Sequence, residues 1–156
     1  MTRKGPKVEL VVTGPGARLA QTELTEMGVR ARNARPVMQS VMRHLVQVER
    51  EQFASEGARG GQRWPRKKQV TLEREERAGH RDERTERFTG ALYESLTSER
   101  AGGSAIRRTS KQAATFGSRL YYGAFQSTRP LIQVTKQDED WIAGEISRWL
   151  LFGELS

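Results

Sequence analysis

The chain contains no cysteine, so neither a disulfide framework nor a thiolate metal site is possible. It has only two histidines, His44 and His80, and they do not form a His-x-x-x-His metal pair. No apolar run approaches the roughly 18 residues that a membrane-spanning helix needs. The apolar run within MTRKGPKVELVV at the start is too short for a signal peptide. The lack of a span and of a signal peptide leads to the expectation of a protein made and used in the cytoplasm, without a membrane; the lack of cysteine says little about compartment. Apolar residues make up 35% of the chain and charged residues 29%, a lean ratio for a self-contained globule. A single domain over residues 1–156 is expected, with a small core and exposed segments that partners help to order.

The formal charge is +8. A basic balance fits contact with nucleic acid or with an acidic protein surface. Residues 59–87 interleave basic and acidic groups. The stretch 100–129 is almost purely basic, with Arg100, Arg107, Arg108, Lys111, Arg119 and Arg129, and no acid after Glu99.

The period of the apolar residues sets out an α+β domain. KVELVVT (7–13) is rich in β-branched residues and reads as a strand closed by Gly14-Pro15-Gly16. Arg18 to Met27 has a weak helical period that Gly28 can stop. The clearest helix follows, with Asn33 as cap and Pro36 in the first turn. Its stripe is Met38, Val41, Leu45 and Val48, widened by Val37, Met42 and Val46, and it runs to about Phe53. Residues 57–84 read as an extended charged loop, broken by glycines and almost empty of apolar residues apart from Trp64, Val70 and Leu72. Within it, LEREERAGHRDER has the composition of a short exposed helix with no apolar face to pack.

Helical spacing returns over Thr85–Ser98 through Phe88, Leu92 and Leu96, with Gly90 inside it at a cost of about 1 kcal/mol. Ser104–Thr109 and Ala113–Gly117 read as two strands around Ser110-Lys111-Gln112. Pro130–Thr135 alternates like a further strand. TKQD at 135–138 is a helix-start signal, and the last helix carries Trp141, Ile142, Ile146, Trp149 and Leu150 before Gly153. The expected architecture is a long amphipathic helix and a C-terminal helix packed on a small antiparallel sheet, with a long charged loop.

No enzyme is legible. A nucleophile needs a base oriented by a third group, and both histidines read as structural or solvated. The acids of EREE and DERTE are interleaved with arginines, which is the pattern of a solvated ion-pair face. The glycine-rich stretches at 14–16 and 57–61 lack the phosphate-loop and dinucleotide patterns, so no cofactor and no metal are expected. Trp64, set in GGQRWPRKKQ, has three readings. It stacks on a base with cations on phosphates, or it belongs to its own core, or it docks into a neighbouring subunit.

Four segments in order give a resemblance. They are REQFASEG followed by a glycine-rich gap and QRWPRKK, then FTGALYESL (88–96), ATFGSRLYYGAFQS (114–127), and RPLIQVTKQDEDWIAGEISRWL (129–150). Together they resemble the phage virion morphogenesis proteins, also called tail completion proteins, of tailed bacteriophages. That family has a TG-x-L-x-x-S helix start and a GS-x-x-x-YA-x-x-HQ segment before its RP and final helix. Here Phe125 stands at the histidine and Gly123 at the common alanine. The resemblance covers Arg50 to Leu150.

The resemblance implies a non-enzymatic structural virion protein at the head–tail junction, assembled in the host cytoplasm. It would complete the tail or neck and join tail to head as a homo-oligomeric ring, a hexamer by analogy with tail symmetry. Its partners would be other neck and tail proteins: the connector or stopper, the tail terminator and the tail tube. Trp64, Phe88, Tyr121, Tyr122, Phe125 and Arg129 are the expected subunit contacts, with Trp64 pinning the loop end to its own or a neighbour's surface. Arg100, Arg107, Arg108, Lys111 and Arg119 are the expected contacts to the DNA backbone in the channel. The alternative is a basic, non-sequence-specific nucleic-acid-binding protein.

Overall fold

The computed structural model describes residues 14–79, 90–120 and 131–156. The expected strand over 7–13 therefore lies outside the described residues. The order is α1 (Pro15–Arg32), α2 (Arg35–Ala54), a 3₁₀ turn (Ala58–Gly60), α3 (Gln69–Arg77), α4 (Ala91–Thr97), β1 (Ala105–Thr109), β2 (Ala114–Ser118) and α5 (Lys136–Phe152). The fold is α+β. Its sheet, among the described residues, is one antiparallel hairpin with Arg107 opposite Phe116.

The middle helix, α2, is the spine. Its inner face buries Val37, Val41, Met42, Val46, Val48 and Phe53. It stands between two groups: α4 and the hairpin pack against it, and so does α5. The main core cluster is Phe53, Trp64, Leu92, Leu96 and Leu131, with Tyr93, Phe116 and Leu120 packed on it. Phe53 meets Trp64 and Tyr93 edge-on, at centroid distances of 5.3 and 5.2 Å, the favoured geometry for aromatic quadrupoles.

Several sequence expectations need correction. Gly28 does not stop α1, which continues to Arg32; one glycine inside a helix costs only about 1 kcal/mol. Asn33 follows α1 and does not cap α2, whose first turn is preceded by Ala34. The Ala34 amide is satisfied instead by the Lys111 carbonyl at 2.9 Å. Gly90 precedes α4 rather than lying inside a helix, in a left-handed conformation with φ 72°, which a side chain would resist.

The segment 131–135 forms no strand. Its alternation is real, with Leu131 buried and Ile132 and Val134 exposed, but no ladder partner meets it among the described residues. Within the expected loop, a 3₁₀ turn and α3 are formed. The only residue that α3 buries is Glu75, paired with Lys67 at 2.9 Å.

Both terminal helices meet at one end. Arg30 Nη1 donates to the carbonyls of Leu150 and Leu151 at 3.0 and 2.8 Å, satisfying acceptors in the last turn of α5. Trp149 Nε1 donates back to the Arg30 carbonyl at 3.4 Å. Beyond that junction α1 buries no residue. Leu19 and Leu24 are 69% and 67% exposed.

Candidate functional site

The Trp64 segment is fixed from inside the domain. Trp64 is 3% exposed, and its amide donates to the Glu56 carbonyl at 2.7 Å. Gly57, at φ 89°, has no room for a side chain, because a Cβ would run into the Trp64 ring. The tryptophan belongs to its own core. It is therefore withdrawn from both the base-stacking reading and the expected contact with a neighbouring subunit.

Around it the 3₁₀ turn is clamped to α2 and α5. Asp138 is 1% exposed and closes a capping box with Thr135. Its carboxylate also accepts from Arg59 Nη1 and Nη2 at 3.0 and 2.6 Å. His44 Nε2 lies 3.0 Å from the same carboxylate, and the His44 ring stacks on Trp141 at 4.0 Å. Burial alone would raise the Asp138 carboxyl. The bonds from Arg59, Thr135 and His44 outweigh it and hold the group well below the usual carboxylate range.

Arg59 Nε donates in turn to Glu51 at 2.9 Å. Gly60 donates to Gln52 Oε1 at 3.0 Å, and its carbonyl accepts from Gln133 Nε2 at 2.6 Å. The His44–Asp138 pair has the form of an oriented base, but Asp138 shares its acceptors with Arg59 and Thr135. The arrangement works as a fastening between α2, the turn and α5.

The basic region divides. Arg100, Arg108, Lys111 and Arg119 are exposed on and beside the hairpin. Arg107 turns inward, which removes it from the expected DNA contacts. Its guanidinium lies 4.0 Å over Phe116 and donates to the carbonyls of Ser95, Leu96 and Ser98 at 3.0, 2.7 and 3.1 Å. It also reaches the Ile106 and Gly117 carbonyls. These bonds complete the C-terminal turn of α4. Phe88, Tyr121, Tyr122, Phe125 and Arg129 lie outside the described residues.

A shallow cavity of about 350 Å³ opens between α4 and β1, with Glu94 and Arg100 on its lining. The Ser95 hydroxyl there donates to the Leu92 carbonyl and pairs with Ser118 Oγ, each at 2.8 Å. Among the described residues no cluster of His, Asp and Glu could hold a metal ion, and no helix is long and apolar enough to cross a membrane.

Besides Glu75, which the sequence placed on a solvated face, two buried carboxyls escaped the sequence reading. Glu145 is 3% exposed and accepts from Ser40 Oγ at 2.7 Å and from Ser156 Oγ at 2.6 Å. Burial would raise this carboxyl, but the Ser156 and Ser40 bonds and the Arg148 charge hold it low. Glu49 is 1% exposed, and its Oε2 has no hydrogen-bond partner. Burial pushes its carboxyl up to about 8 against the pull of Arg59 and Arg107. Glutamates usually mark the solvent face of a helix, and a single pattern cannot separate those that do not.

Comparison with protein-family models, with curated proteins and with solved structures finds no match to this chain.

Proposed function

We propose that this chain is a non-enzymatic structural subunit of a tailed bacteriophage, acting at the junction of head and tail. In this reading it completes the tail or neck and joins tail to head as a homo-oligomeric ring around the DNA channel. Six copies match the symmetry of the tail. Its partners are the connector or stopper on the head side and the tail terminator and tube on the other. The observation that carries the reading is the ordered resemblance of four segments between Arg50 and Leu150 to the tail completion proteins.

Two geometric features support it. The glycine of TGALYES sets the start of α4 at φ 72°, and Gly57 makes room for the tryptophan that follows it, so the resembling segments hold positions where the backbone requires their residues. The apolar residues Leu19, Leu24, Val29, Leu151 and Phe152 are exposed, the kind of surface that association buries. The deciding experiment deletes the gene from the phage or prophage that carries it and images the lysate. Filled heads and finished tails lying apart are expected. Intact, infectious virions would overturn the proposal.

The second reading, a basic protein that binds nucleic acid without sequence preference, draws on Arg100, Arg108, Lys111 and Arg119 standing exposed about the hairpin. It requires steeply salt-dependent affinity for DNA of any sequence.

A further inference from the structure

Glu49 sits where a charge is hardest to keep. Its carboxyl is shut off from solvent, and Oε2 has no partner. Two cations act on it, Arg59 from the 3₁₀ turn and Arg107 from β1. The Arg59 donors are engaged by Asp138 and Glu51. Those of Arg107 are engaged by the carbonyls around the end of α4 and by the hairpin. Neither guanidinium donates to Glu49, so their charge reaches it without a hydrogen bond to hold an anion.

Among the described residues, the other charged groups around Glu49 are occupied elsewhere or exposed. From α5, Asp138 acts through Arg59, and Glu145 is bound by Ser40 and Ser156. Glu94 of α4 is exposed, and β2 carries no titratable side chain. On α2 itself, His44 is engaged by Asp138, Arg50 by Thr97 and Glu99, and Glu51 by Arg59.

We propose that Glu49 is a proton-operated latch: neutral in the closed fold, it draws Arg107 away from the end of α4 when it ionises. Arg107 is the cation that moves because it is held by neutral carbonyls, whereas Arg59 is held by two carboxylates, and charge-assisted bonds are about twice as strong as neutral ones. Once redirected, Arg107 leaves the carbonyls of Ser95, Leu96 and Ser98 without their donor, and the junction of α4 with the hairpin loosens. The corner that opens borders the cavity lined by Ser95, Ser98 and Arg100.

The direction of the pH effect follows from the raised carboxyl. Folding takes up a proton between the ordinary glutamate value of 4.5 and about 8. The stability contributed by neutral Glu49 is complete below the lower value and is lost as pH rises to the upper one. The full effect corresponds to roughly a thousandfold in the folding equilibrium.

The test follows the Glu49 side-chain carboxyl by carbon-13 NMR through a pH titration. It also compares hydrogen exchange of the α4 amides in the wild type and in Glu49→Gln at each pH. The proposal expects titration near 8 and α4 amides that lose protection in the wild type, but not in E49Q, as pH rises through that value. Titration in the ordinary carboxylate range would overturn it, and this reading needs no variant to fold. Equal α4 protection in the two proteins at about pH 9 would overturn the movement of Arg107.

Discussion

Single residues fasten the Trp64 segment. Asp138→Asn removes the charge that holds Arg59, His44 and the start of α5 together. It leaves buried donors poorly matched and is expected to cost about 3 kcal/mol at neutral pH, read by urea unfolding. Because the Asp138 carboxyl is depressed in the fold, its stabilisation is present above the ordinary aspartate range, about 4. It is lost as pH falls below that, so wild type and variant should converge in acid. Trp64→Ala should cost about 3–5 kcal/mol, measured the same way. Gly57→Ala should be severe for a different reason, since it meets both a left-handed backbone and the tryptophan ring. Gly60→Ala is the control: its Cβ meets the flexible end of Gln133, which can swing aside with the loss of one hydrogen bond, about 1 kcal/mol.

At the scale of elements, what was legible depended on whether the signal was local. The Thr135–Asp138 capping box and the turn between β1 and β2 are written in neighbouring residues, and both appear in the structure. The α2 stripe appears in part: Val41 and Val48 are buried, Met38 and Leu45 are only half-buried, and Val37, Met42 and Val46 complete the inner face. The 131–135 segment shows the opposite case. Alternation records which side is buried, but a strand also needs a partner, and the partner is not in the segment. Glu49, Arg59 and Glu145 were missed because their roles come from residues far along the chain: Arg59 meets Asp138 across 79 positions. Arg107 read as a surface cation for the same reason, since the α4 carbonyls that face it follow from the hairpin's placement. For α1 the expectation is specific. Leu19→Ser with Leu24→Ser should change the unfolding free energy by less than about 0.5 kcal/mol, because neither side chain is buried. Under the proposed function the same pair should weaken self-association in analytical ultracentrifugation.

For the whole molecule the exposed basic side chains set the test that separates a channel lining from a dedicated DNA binder. Neutralising Arg100, Arg108, Lys111 and Arg119 together should lower the slope of log affinity against log salt by about 0.9 for each phosphate contact removed, measured by fluorescence anisotropy on duplex DNA. A ring subunit that only lines the channel should show weak binding as a free protein and little change in slope. The clamp on Asp138 has a further consequence for how the chain is made. Synthesis delivers α2 and the 3₁₀ turn long before α5, at about 5–20 residues per second. Until residue 138 emerges, Arg59 and His44 face the site without their carboxylate, and Leu131 is missing from the Trp64 core. The middle of the molecule therefore closes last, when its final helix arrives, and a nascent chain stalled ahead of that helix should remain open to proteolysis around Trp64.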